Sequence, residues 1–199
     1  MEKFLNLPED KQKRITDAAF YVFGNNVYKK ASTGDIATVA GISKGMIFHY
    51  FGSKKELYLY LLKLCGEILT AEQERNLDKS VTDFFDRIKM SSAIKIATLK
   101  EHPHILSFIN HVHSETDSEV AAEIKTAFST ISASARDEIF DGVDYMRFKN
   151  PEAPELLMKL LIWAGMGVAD SRLGANELDE CLEVYTKCLD LMKENFYYL

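Results

Sequence analysis

The segment TGDIATVAGISKGMIFHYFGSKKEL, residues 33–57, most constrains what this chain can fold into. It sets two short helical patterns on either side of one glycine. Short helices that cross steeply need small residues where their axes approach, and Ala37 and Ala40 supply them. The turn between them needs a backbone position with positive φ, which Gly41 adopts without Cβ strain. Ile42, Ile47 and Phe51 give the second helix an apolar side to press onto the first. The spacing predicts a helix-turn-helix, with Ser43 capping a second helix over residues 44–51 and Gly52 ending it.

Helical periodicity extends over the rest of the chain, and no run alternates as a strand would. Ile15, Ala18, Ala19, Val22 and Phe23 form the stripe of a helix ending at Gly24. Ser32 with Asp35, and Ser53 with Glu56, read as capping boxes, the second opening a long helix that buries Leu57, Leu61 and Leu64. Val81, Phe84, Phe85 and Ile88 begin another, and Pro103 suits the first turn of the next. Val120, Ile124 and Phe128 mark a helix reaching Phe140, followed by a loop, DGVDYMRFKNPEAP. The last two helices are expected over residues 154–172 and 177–196. The fold class is therefore all-α, with about nine helices. Residues 1–53 would be a helix-turn-helix head and residues 54–199 a helical body, linked by the long helix.

The net charge of −6 argues against nucleic acid only until its distribution is considered. Residues 1–60 carry a net +3 and the remainder a net −9. A basic head on an acidic body suits a local phosphate-binding surface, because counterion release depends on charges at the interface. On the outer helix, Lys44, Met46, His49 and Tyr50 would face outward, with Gly45 letting the backbone approach closely. Ser43 and Lys44 lie at its N-terminus, where unpaired amides favour phosphate. Ser32, Thr33 and Lys54 would clamp phosphates on the flanks, while Lys44, Met46 and His49 would select bases.

These residues carry a resemblance. Thr33, Ile36, Ala37, Ala40 to Ser43, Gly45, Ile47, Phe51, Lys54 and Leu57 resemble the DNA-binding head of TetR-family transcription regulators, and the likeness spans about residues 10–60. Where that family usually has tyrosine after the Leu/Ile position, this chain has Phe48, which removes one hydroxyl contact to phosphate. The resemblance implies a double-stranded DNA operator as partner, a homodimer, and an all-helical body that binds a small-molecule effector.

In the body, Leu157, Leu161 and Val168 of the penultimate helix, with Leu182, Tyr185, Leu189 and Met192 of the last, form two broad apolar stripes. Two such stripes at the end of a chain suit a four-helix interface between subunits. Phe84, Phe108, His111, Phe128, Trp163 and Met166 are the candidates for lining an effector pocket, and their apolar bias favours a hydrophobic or amphipathic ligand.

The sequence shows no nucleophile elbow, phosphate-binding glycine loop, zinc helix or supported carboxylate pair, so no enzymatic activity, cofactor or metal site is expected. His111 and His113 would point to different helix faces, and Cys181 and Cys188 read as buried thiols. Absence of an apolar run of membrane-spanning length and of a signal-peptide core predicts a cytoplasmic protein. The competing function is a helical interaction module that keeps a vestigial DNA-binding head.

Overall fold

The structure is a computed structural model that describes residues 1–170 and 173–198, apart from the side chains of Ser134, Met166, Ala169, Asp170 and Ala175. The described residues form ten helices: α1 (Glu2–Leu5), α2 (Glu9–Gly24), α3 (Thr33–Ala40), α4 (Lys44–Phe51), α5 (Lys54–Asn76), α6 (Phe84–Glu101), α7 (Pro103–His113), α8 (Ala121–Phe140), α9 (Ala153–Asp170) and α10 (Ala175–Phe196). The all-α expectation holds. The four-residue α1 was not anticipated, and Val81 precedes α6 instead of starting it.

Two compact units emerge, one of residues 1–67 with 102–130, the other of residues 68–101 with 131–199. Two of the three boundaries between them fall inside helices, in α5 and α8, and the third falls between α6 and α7.

In the first unit, α2 packs on α3 and α7. Its apolar stripe of Ile15, Ala18, Ala19, Val22 and Phe23 is buried as its spacing predicts. Phe20 and Phe23 meet Phe108 of α7 with ring centroids 5.3 and 6.4 Å apart, and Tyr58 of α5 closes the cluster 5.2 Å from Phe108. Gly24 lets α7 approach: a Cβ there would lie 3.0 Å from both the Phe108 amide nitrogen and the Ser107 Cβ. Polar ties reinforce the contact. The Glu115 carboxylate accepts the Tyr28 amide at 2.7 Å, and Lys55 pairs with Glu123 at 2.5 Å.

In the second unit, Phe84, Phe85, Ile88, Phe148, Leu157, Leu189 and Tyr197 form one buried core. Helices α6 and α10 run antiparallel, as the pairs Lys193–Asp86 at 2.7 Å, Lys89–Asp190 at 2.5 Å and Lys100–Asp179 at 2.5 Å require. Arg87 is wholly buried and donates to four carbonyls, those of Val81 (2.7 Å), Lys79 (3.0 Å), Ile139 (3.0 Å) and Asp141 (3.3 Å). It thereby joins the loop before α6 to the C-terminal end of α8, where helix carbonyls lack partners.

This core takes up part of the expected subunit interface. Leu157 and Leu189 are buried within it, and Leu161, Tyr185 and Met192 pack against it. Val168 and Leu182 are half-buried. Among the apolar residues left exposed are Leu156, Leu160, Ile162 and Trp163 on α9 and Val184, Leu191 and Phe196 on α10. Of the thiols, Cys65 is buried, Cys181 half-buried and Cys188 exposed, so burial does not explain Cys188.

Candidate nucleic-acid interface

The interface begins with the turn. Gly41 takes the left-handed conformation at φ 65°, ψ 37°. Its amide donates to Thr38 O at 3.2 Å and the Ile42 amide to Ala37 O at 3.0 Å, a Schellman pair that satisfies the last carbonyls of α3. Gly52, at φ 81° and ψ −51°, also ends α4 with a positive φ, its amide donating to Phe48 O at 2.8 Å. At the start of α3 the Ser32 hydroxyl accepts the Gly34 amide at 3.1 Å, one residue short of the expected capping-box bond. Ser53 accepts the Glu56 amide at 3.0 Å, as its spacing predicts.

Helix α4 buries Ile47, Tyr50 and Phe51 and leaves Lys44, Gly45, Phe48 and His49 exposed, with Met46 half-buried at the margin. Ser43 is exposed at the N-terminus and its side chain makes no capping bond. The expected outward residues are thus borne by one face, with a correction and an addition. Tyr50 is only 3% exposed and lies beneath α1, its ring 6.1 Å from that of Phe4. Its position three residues after Ile47 puts it on the packing side, a signal the spacing already carried. Phe48, by contrast, is 42% exposed on the open face. Sequence reasoning treated it as a missing hydroxyl and passed over its apolar ring as a contact in its own right.

The flanking residues are engaged inside the fold. Thr33 is buried and the Ser32 hydroxyl is occupied as a cap. The Lys54 ammonium donates to Tyr28 O at 2.9 Å and Ala31 O at 3.3 Å, and lies 4.2 Å over the Tyr28 ring. It pins the loop before α3 to the start of α5. Burial pushes the Tyr28 phenol above its ordinary range, with Glu119 adding to the effect.

The expected effector-lining residues are spread over both units. Phe108 and Phe84 are fully buried in the separate cores of the two units, and Trp163 is 67% exposed. His111 and Phe128 are half-buried in the first unit, where Phe128 stacks on His113 at 4.5 Å. The Met166 side chain lies outside the described residues.

Two short helices joined by a three-residue turn, the outer one packed on one side and open on the other, define a helix-turn-helix DNA-binding head. Residues 15–61 match the family described as bacterial regulatory proteins, tetR family. Residues 15–61 thus carry a TetR-family DNA-binding head, and the chain spans less than two thirds of the length of the curated relatives it matches. It is 30% identical over 146 residues to the HTH-type transcriptional activator FasR of Mycolicibacterium smegmatis, a match covering 68% of this chain and 60% of that relative. A TetR family regulator from Chloroflexus aurantiacus shares the fold with a TM-score of 0.65 at 23% identity, covering 100% of this chain and 99% of the other. The fatty acid degradation regulator FadR from Bacillus halodurans does so with a TM-score of 0.64 at 18% identity, covering 91% and 96%.

Proposed function

We propose that this chain is a dimeric, sequence-specific DNA-binding regulator of transcription, released from a palindromic operator by a small hydrophobic or amphipathic effector. The observation that carries the reading is α4. Its exposed face bears Lys44, Gly45, Phe48 and His49 while Ile47, Tyr50 and Phe51 anchor it from behind. Lys44 and the amides at Ser43 would meet phosphate, His49 and Met46 would read base edges, and Phe48 would pack on a thymine methyl. Residues 1–53 would thus contact DNA, and residues 54–199 would bind effector and form the dimer.

A second copy of the chain is the proposed partner for the uncovered stripes of α9 and α10. Leu156, Leu160 and Trp163 follow i, i+4, i+7, as do Val184, Cys188 and Leu191, the spacing of helix faces that pack in bundles. For the effector, the name of FadR, a fatty acid degradation regulator, supports a ligand with an apolar chain. His111 and Phe128 are the proposed contacts. Occupancy of an operator most simply represses; FasR is named an activator, so the position of the operator relative to a promoter sets the sign.

The test is selection of bound sequences from a random duplex library at two salt concentrations. A recovered palindrome supports the reading. Salt-sensitive binding without sequence preference would instead favour a vestigial head, with function residing in the body. No described helix is long and apolar enough to cross a membrane.

A further inference from the structure

We infer that α1 is part of the reading unit and that Phe4 is a positioning residue, setting how α4 meets the bases; this rests on the DNA-reading function proposed above. Helix α4 has 8 residues, fewer than an isolated helix needs to persist in water, so its placement comes from what packs against it. Those supports include α3, α1 and, through Phe51 against Tyr60 at 5.7 Å, α5.

In α1, Glu2, Lys3 and Leu5 are exposed, while Phe4 is 0% exposed. Its ring lies 4.7 Å from Phe51, 5.5 Å from Tyr60 and 6.1 Å from Tyr50. It therefore wedges between α4 and α5, behind the face that carries Lys44, Phe48 and His49. The link from α1 to α2 is fastened too, because the Gln12 side-chain amide donates to Leu5 O at 3.0 Å and Leu7 O at 2.8 Å. Phe4 also meets the buried Tyr50 ring edge-on.

Base-edge contacts depend on the placement of α4 far more steeply than phosphate contacts from flexible lysines do. Loss of the wedge should therefore appear as lost discrimination between sequences, while the charge-driven component persists.

The experiment measures affinity of the full chain for a duplex selected by the wild type and for a scrambled duplex of equal length, across a salt series. Phe4→Ala is expected to reduce the selected-to-scrambled preference about tenfold or more, with the scrambled-duplex salt slope, helical circular dichroism and sedimentation mass unchanged. Phe4→Leu should restore the preference to within about threefold, since it refills most of the volume. Leu5→Ala, on the exposed side of α1, should match the wild type. If Phe4→Ala loses helical signal at the assay temperature, Phe4→Val is judged by the same criteria. A folded truncation that keeps the wild-type preference, or that loses selected and scrambled binding in equal proportion, overturns the inference. A wild type that prefers no duplex at all is a separate outcome, and it overturns the underlying DNA-reading function instead.

Discussion

Lys54 has an ammonium with three donors, and two of them are committed to the carbonyls of Tyr28 and Ala31. One donor is left for a phosphate, so the residue would serve fold and interface together. Lys44 stands exposed at the start of α4 with no such duty. The two substitutions should therefore part company. Lys44→Ala is expected to lower the salt slope of DNA binding by about one and leave the melting temperature unchanged. Lys54→Ala should lower both, since it strips buried carbonyls of a charged donor, at a cost of about 1–3 kcal/mol. Salt-dependent binding and thermal denaturation of the pair decide the point; a Lys54→Ala protein with unaltered melting would mean the internal tie carries no stability. The double duty of Lys54 was illegible in the sequence because its acceptors sit more than twenty residues away, at Tyr28 and Ala31. Tyr50 is different. Its three-residue offset from Ile47 already marked it as inward-facing.

Among the helices, glycines separate packing from access. A Cβ at Gly24 would meet the backbone of α7 at 3.0 Å, whereas at Gly45 the nearest neighbour is the flexible Ser43 hydroxyl at 3.9 Å. Gly24→Ala should thus destabilise the chain by about 1–3 kcal/mol, because backbone must shift. Gly45→Ala should leave stability unchanged or raise it by up to about 1 kcal/mol through helix propensity, yet weaken DNA binding by holding the backbone off. Urea denaturation combined with a binding titration distinguishes them, and equal stability losses would remove the contrast. Arg87 carries the same lesson in the second unit. Four carbonyls depend on its planar fork, which an ammonium does not reproduce. Arg87→Met should cost at least about 3 kcal/mol in denaturant unfolding, and a loss below about 1 kcal/mol would show that water replaces the guanidinium. Helix starts and stops were readable from local chemistry, such as Gly41, Gly52, Ser53 and Pro103. The partners of Arg87 were not, since Ile139 and Asp141 are brought to it only by the fold.

For the whole molecule the open matter is which apolar residues serve the chain's own core and which serve a second copy. A stripe wide enough for both is ambiguous by periodicity alone: neighbours along α9 differ by about 100° around the axis. The fold buries Leu157 and covers Leu161 while leaving Leu156, Leu160 and Trp163 uncovered, which is what favours the latter for the proposed interface. Leu189, on α10, belongs wholly to the core. Introducing a carboxylate should therefore have opposite consequences at the two kinds of position. Trp163→Asp or Leu160→Asp is expected to halve the sedimentation mass while helical content persists, since the charge falls where a partner's apolar surface would be. Leu189→Asp should instead lose cooperative unfolding or drop stability by several kcal/mol, because a carboxylate there has neither water nor a partner. Sedimentation and circular dichroism on the three variants test both statements, and an unchanged mass for Trp163→Asp and Leu160→Asp would move the interface elsewhere. The same variants reach function through geometry. Two heads joined by a two-fold axis engage a palindrome with an effective local concentration that one head lacks. A monomeric Trp163→Asp protein should accordingly keep its salt-sensitive affinity for scrambled duplex and lose most of its preference for the selected palindrome. A monomer that still reads the full palindrome tightly would separate dimerisation from recognition.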